Sequence, residues 1–251
     1  MSTAVQDKGT AIVTGASRGI GAAIAKRLAS EGYGVVVNYS ADASGADAVV
    51  SAIKSTGGRA MAVRADVGSE DDVAAMFDRA AAQLGPVTAL VSNAGGVGEQ
   101  ARVDEQHTDV LARLMQVNVL GPMLCAKHAV RAMSTAHGGK GGSIVTIASV
   151  AAKALPGGVG MVPYQATKGA MVTFARGLSN EVAAEGIRSN SVSPGVIATD
   201  LTSQELRESL GKQAPMGRIG QPDEIAATVS WLVSPEASFV TGTDITVSGG
   251  I

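Results

Sequence analysis

Cys125 is the chain's only cysteine, which excludes an intrachain disulfide and a cysteine-based zinc cluster and fits a reducing cytoplasm. His107, His128 and His137 have no metal-ligand spacing, so no metal is expected. A formal net charge of -2 gives no electrostatic reason to expect nucleic acid or an acidic membrane surface as partner. No apolar run approaches the roughly 20 residues needed to span a bilayer. Residues 1–9 lack a basic patch followed by an apolar core and do not read as a signal peptide. These absences together predict a cytoplasmic protein. Ser149 lacks a G-x-S-x-G setting, which argues against a serine-hydrolase elbow. Repeats, heptads and low-complexity tails are also missing. Aromatics make up only 3% of the chain.

Glycine, by contrast, is abundant: 32 residues in a chain of 251 that is 45% hydrophobic. Such a chain can bury a large core, and its many small residues suggest close backbone packing with tight turns. Residues 10–14 (TAIVT) read as a buried strand that stops at Gly15. Gly15-Ala16-Ser17-Arg18-Gly19-Ile20-Gly21 follows, and then a helical pattern through Ile24, Ala25, Leu28 and Ala29. Strand, glycine turn and helix in that order make a phosphate cradle, because unpaired amides and the helix dipole both favour an anion there. The spacing is G-x-x-x-G-x-G, a variant of the dinucleotide fingerprint, and packing alone could also account for it.

Residues 34–38 form a second strand and 42–55 a helix. An acid at the end of this strand would grip the ribose hydroxyls of NAD, but Asn38, Tyr39 and Ser40 stand there instead. Arg18 and Ser40 could receive a 2′-phosphate, which favours NADP(H) while admitting NAD(H); otherwise Arg18 is a solvated turn residue. Residues 59–65 form a third strand ending at Asp66-Val67. Asp66 reads either as an adenine contact or as an N-cap for the helix starting near Ser69. A helix over 71–84 leads to a fourth strand, 87–91, running into Ser92-Asn93-Ala94-Gly95-Gly96, where small residues permit close approach to a cofactor. Strands at 143–148, 187–192 and 243–247 and a helix at 222–233 complete the alternation, which implies parallel pairing with right-handed crossovers. Residues 156–160 read as a glycine-rich loop and 202–213 as a polar helix able to act as a lid.

Tyr164 and Lys168 sit four apart at the start of an apolar helical run, on one face of the helix. Moving a phenol from a pKa of about 10 to near 7 needs roughly 4 kcal/mol, and a fixed cation is one source of it. Alone, such a pair also describes a half-buried aromatic and a solvated amine. Residues 110–133 form the longest apolar helical segment, interrupted by Asn118 and Gly121-Pro122. Pro122 cannot donate to the Asn118 carbonyl, so a kink here would free an acceptor for a water.

Thr14 to Gly21, Asn93-Ala94-Gly95, Asn118, Ser149, Tyr164-x-x-x-Lys168 and Pro194-Gly195 stand in one order along one chain. That set resembles the classical short-chain dehydrogenase/reductase family from about Thr10 onward, closest in look to bacterial 3-oxoacyl-carrier-protein reductases and glucose-dehydrogenase-like members. The resemblance implies a single Rossmann-like α/β domain, doubly wound, with a seven-stranded parallel sheet, an NAD(P) cofactor and a homotetramer. It implies that Tyr164 is the general acid, that Lys168 lowers its pKa and holds the nicotinamide ribose, that Ser149 hydrogen-bonds the substrate oxygen, and that Asn118 anchors a water. Gly15, Ser17, Arg18, Ile20, Asp66, Val67, Asn93, Ile197 and Thr199 fall on the family's cofactor positions. Gly19, Gly21, Tyr39, Ser40, Ala94, Gly95, Pro194 and Gly195 complete the expected cofactor set with Tyr164 and Lys168.

Three departures stand out. Ser92 replaces the first asparagine of the usual N-N-A-G, the loop between Ser149 and Tyr164 looks slightly long, and Glu185 occupies a position where carrier-protein reductases tend to have a basic docking residue. The expected activity is NADPH-dependent reduction of a small free ketone or β-keto ester, reversible as alcohol oxidation. Alternatives are a 3-oxoacyl-carrier-protein reductase or, from another class, a non-catalytic NADP sensor or scaffold.

Overall fold

The structure is a computed structural model that describes residues 7–153, 160–199, 209–212 and 214–251. Its sheet is built from β1 (Thr10–Val13), β2 (Gly34–Tyr39), β3 (Arg59–Arg64), β4 (Val87–Ser92), β5 (Gly142–Ile147), β6 (Ile187–Pro194) and β7 (Asp244–Val247). All pairings are parallel, in the order β3-β2-β1-β4-β5-β6-β7. The order reverses between β1 and β4, and in an open parallel sheet the crevice beyond the strand ends at that reversal is where ligands bind.

The apolar strand runs are buried on both faces. In β1, Ala11 and Val13 face one core while Ile12 faces the other; β2 and β4 split the same way, with Val36 and Leu90 joining Ile12. The first core is closed by α1 (Gly19–Ser30), α2 (Ala43–Ser55) and the helix Pro222–Val233, here α7, through Ile24, Leu28, Ile53, Val229 and Leu232. The second is closed by α3 (Glu70–Leu84), α5 (Gly121–Met133) and α6 (Val162–Val182), through Met76, Phe77, Cys125, Met133 and Leu178. This is the doubly wound Rossmann-like arrangement. Among the described residues, no helix is long and apolar enough to cross a membrane.

The segment expected to kink at Pro122 does something different. After α4 (Thr108–Met115), the chain widens into a π-helix, Gln116–Leu120, before α5, and the Gly121 N–H donates to the Gln116 carbonyl five residues back. The residues flanking this turn keep right-handed helical dihedrals, Met115 at φ -63° and Gly121 at φ -54°. The ladder is therefore widened rather than broken, and the inserted turn carries Asn118 inward. Such π-turns commonly mark functional sites. The sequence readings for residues 154–159 and for most of 202–213 lie outside the described residues; residues 209–212 are helical.

Candidate active site

The cradle at the end of β1 is held by side chains that replace backbone pairing. Thr14 Oγ1 accepts from the Asn93 and Ala94 amides, both at 3.0 Å. Asn93 Nδ2 donates to the carbonyls of Thr14 (2.9 Å) and Gly15 (3.0 Å). Asn38 is buried, accepts from the Gly15 amide at 3.2 Å and donates to the Ala65 carbonyl at 3.0 Å. Asn38 is therefore a pin between the cradle and the ends of β2 and β3, a role not visible in sequence. Its only sequence signal is an amide at the end of an apolar strand.

Glycines make the remaining geometry. Gly15 and Gly19 hold φ of +60° and +58°, a region costly for residues with a Cβ. A Cβ on Gly15 would lie 2.8 Å from Ala94 Cα, and one on Gly21 2.6 Å from Asn93 Nδ2. Helix α1 begins with Arg18 as N-cap and no side-chain cap, so its first amides are left for another acceptor.

From this cradle a cavity of about 640 Å³ runs across the strand ends. All the residues predicted for the site line it except Asn118. At one end are Arg18, Tyr39 and Ser40, and at the other Ser149, Tyr164 and Lys168. Asp42, a lining residue that the sequence reading passed over, lies three positions beyond β2. Its carboxylate is committed to capping α2, accepting from the Gly45 amide at 3.0 Å. That amide, then the Ser17 and Ser44 hydroxyls and least of all the Arg18 charge, hold its pKa below the usual range.

Asp66 does not cap α3. Ser69 does, accepting from the Asp72 amide at 3.3 Å. The Asp66 carboxylate instead meets Arg113 at 2.9 Å, and that guanidinium is the main cause of its lowered pKa.

At the opposite end of the cavity, Ser149 lies just past β5, and its Oγ accepts from the Ala151 amide at 3.1 Å. Tyr164 and Lys168 are one turn apart on α6. The Lys168 side chain is buried, 7% exposed, and Nζ donates to the Ile147 carbonyl at 2.9 Å while lying 5.6 Å from the Tyr164 ring centroid. Burial lowers the ammonium to about 8. Burial pushes the Tyr164 phenol above its ordinary value, and the Ser149 hydroxyl opposes that shift. In the protein alone, Lys168 is turned to a backbone carbonyl, and the phenol is held protonated.

Asn118 stands behind the cavity wall. Its Oδ1 accepts from the Gly96 amide at 2.9 Å, and Nδ2 donates to the Gly96 carbonyl (2.8 Å) and Thr167 Oγ1 (3.1 Å). A Cβ on Gly95 would lie 3.2 Å from Asn118 Oδ1 and 3.7 Å from Lys168 Nζ, so the chain passes between the two groups at its thinnest residue.

The remaining candidates resolve simply. His107 pairs with Glu99 at 3.0 Å and His128 with Glu70 at 3.0 Å, and no metal-ligating cluster exists among the described residues. The Cys125 thiol is buried and pushed up to about 12, which makes it inert. Glu185, at the position where carrier-protein reductases tend to have a basic docking residue, accepts a hydrogen bond from Ser134 Oγ, so part of its charge is spent inside the fold.

Comparison with known proteins gives the same picture over the whole chain. A family model described as enoyl-(acyl carrier protein) reductase matches residues 15–251. Glucose 1-dehydrogenase 2 of Bacillus subtilis is 41% identical over 246 residues, 96% of this chain and 94% of that protein. The 3-oxoacyl-[acyl-carrier-protein] reductase of Staphylococcus aureus is 38% identical over 247 residues, 96% and 97% of the two chains. Among solved structures, a short-chain dehydrogenase from Burkholderia cenocepacia in complex with NADP superposes with a TM-score of 0.90 at 35% identity, covering 98% of both chains. A 7α-hydroxysteroid dehydrogenase complexed with NADH and 7-oxo glycochenodeoxycholic acid gives 0.89 at 36% identity, covering 97% and 94%. With the phosphate cradle, the sheet order and the Ser149, Tyr164 and Lys168 cluster on one cavity, the chain is an oxidoreductase belonging to the classical short-chain dehydrogenase/reductase family.

Proposed function

We propose that this oxidoreductase reduces a ketone or related carbonyl to a secondary alcohol with NADPH, and oxidises the alcohol in the reverse direction. The observation that carries the reading is the single cavity joining an anion cradle to a half-buried phenol flanked by a hydroxyl and an ammonium. The residues fit a dinucleotide. A Cβ at Gly15 or Gly21 would collide with backbone or the Asn93 amide, so glycine lets the turn fold tightly against the strand ends, and the uncapped first amides of α1 are free to face a pyrophosphate. Gly19, Ile20, Ser17 and the α1 amides would hold the pyrophosphate, and Asp66 and Val67 the adenine. Ala94, Gly95, Pro194, Gly195, Ile197 and Thr199 would flank the nicotinamide half, with Lys168 on its ribose.

A bound reduced dinucleotide supplies the hydride. The chain supplies the rest. Ser149 orients the carbonyl oxygen, and Tyr164, kept protonated by burial, delivers its proton to that oxygen as negative charge develops. Lys168 is placed to take part in returning a proton to the phenolate, with Asn118 on the far side of Gly95 as the anchor of the supply.

NADP is preferred over NAD because Arg18 and Ser40 are both exposed beside the cavity, and the nearby carboxylate of Asp42 is occupied as a helix cap. R18A is expected to lower kcat/KM for NADPH by about 10- to 100-fold while changing that for NADH less than about threefold. Steady-state kinetics with both cofactors checks this; a wild-type kcat/KM higher for NADH than for NADPH would contradict the preference.

A carrier-protein reductase is the second reading, favoured by the 38% identity to the Staphylococcus aureus enzyme. It predicts far greater activity on carrier-bound substrate than on the free thioester. Self-association as a homotetramer is also part of the proposal. Met115, Leu120 and Met123 are exposed along one continuous helical run, and Trp231 in α7 and Phe239 beyond that helix are exposed as well. Light scattering should give the mass of four chains, and a monomer mass at micromolar concentration would contradict it.

A further inference from the structure

The adenosine end of the cavity contains a ring of contacts that no cofactor role yet explains. Arg113 projects from α4, lines the cavity, and brings Nη1 to 2.9 Å from Asp66 Oδ2. The same nitrogen donates to Gln116 Oε1 at 3.2 Å, and Gln116 Nε2 donates to the Gly68 carbonyl at 3.1 Å. The ring closes where the Gly68 amide donates to Asp66 Oδ1 at 3.0 Å. Gly68 is required for this closeness, because a Cβ there would lie 2.7 Å from Gln116 Cγ.

Two features argue that this ring serves the ligand rather than stability. The side chains of Arg113 and Asp66 are 49% and 36% exposed, and exposed pairs of this kind contribute little to folding. Yet the pair is at the cavity wall, and together with the Gly68 amide it engages both oxygens of the Asp66 carboxylate at the adenine end. An ionised carboxylate accepts hydrogen bonds only, and the exocyclic amino group of adenine is a donor. The direction of the Asp66 lone pairs therefore decides how well that amino group is read.

We propose that Arg113 is a positioning residue for the cofactor, holding the Asp66 carboxylate in the orientation that accepts from the adenine amino group. The inference rests on the dinucleotide reading and concerns the half that NAD and NADP share, so it does not depend on the preference between them. It also gives Gln116, the first residue of the π-turn, a purpose. The turn is tied to the adenine end through Gln116 and to the catalytic end through Asn118, so one segment registers both halves of the ligand.

The test is a set of fluorescence titrations on the full chain with NADPH, with its hypoxanthine analogue and with reduced nicotinamide mononucleotide. The hypoxanthine analogue carries a carbonyl where adenine carries the amino group, so wild-type protein should favour NADPH. R113A is expected to cut that adenine preference by about tenfold, as for loss of a charge-assisted partner. It should leave mononucleotide binding, and kcat at saturating NADPH, within about twofold of wild type. R113K, which keeps the charge without the planar fork, should restore only part of the preference. Thermal melting of both variants confirms that they fold. An unchanged adenine preference in R113A, or equal weakening of the mononucleotide, overturns the proposal while leaving the dinucleotide reading standing. Failure of wild-type protein to bind NADPH at all removes both.

Discussion

Tyr164→Phe is expected to lower kcat by about a thousandfold, the scale of a lost general acid, while leaving the NADPH dissociation constant within about threefold of wild type. The substitution removes one oxygen and keeps the ring that lies 5.6 Å from Lys168 Nζ, so the packing around the ammonium is preserved. What is lost is the proton donor. Burial raises the Tyr164 pKa, so at neutral pH the phenol carries its proton, as an acid in the reducing direction must. Ser149 remains in the variant but cannot substitute, since it orients the substrate oxygen and has no base to activate it. Steady-state kinetics with cofactor titration separates the two quantities. A variant retaining more than about a tenth of wild-type kcat would mean that the proton comes from elsewhere.

Lys168→Met is expected to remove most activity and yet stabilise the cofactor-free protein at pH 7. The ammonium is buried and its pKa falls from 10.5 to about 8, equivalent to roughly 3 kcal/mol against the charged form. Methionine escapes that cost but leaves the Ile147 carbonyl without its donor, which returns about 1–2 kcal/mol. The net gain at pH 7 is therefore about 1–2 kcal/mol. The sign reverses at high pH. Between about 8 and 10.5 the unfolded lysine still binds its proton while the folded one has released it, so wild-type stability rises with pH through that window. Above 10.5 both forms are neutral, the penalty is gone, and wild type is more stable by the hydrogen bond alone. Denaturant unfolding of both proteins at pH 7 and pH 10 measures the difference. A variant less stable at both pH values by the same amount would show that burial of the ammonium costs nothing.

The parts of this site legible in the sequence are those carried by short spacing. Tyr164 and Lys168 share a helix face, the glycine turn follows its strand directly, and Ser149 follows β5, so each could be placed from neighbours a few residues away. The parts that escaped depend on partners far along the chain. Thr14 and Asn93 are 79 positions apart and Asn38 and Gly15 23, and only the folded sheet makes them partners. The choice for Asp66 between cap and ligand contact turned on Ser69, which satisfies the α3 amide itself. At Pro122 the local rule anticipated a break, but the chain can absorb a missing donor by widening the ladder, and apolar periodicity does not distinguish the two. The final position of Lys168 Nζ depends on a distant partner in the same way. Spacing along α6 places it near the phenol, but the Ile147 carbonyl, 21 residues earlier, decides where Nζ goes.

The most direct test of the account is isotope transfer. Incubating the protein with a panel of small ketones and NADPH deuterated at the transferable position of the nicotinamide should give a secondary alcohol with one deuterium on the carbinol carbon. Tyr164→Phe should give almost none while still binding the cofactor. Wild-type protein that binds NADPH yet forms no deuterated alcohol from any ketone, free thioester or carrier-bound substrate would contradict the account and leave a dinucleotide-binding protein without turnover.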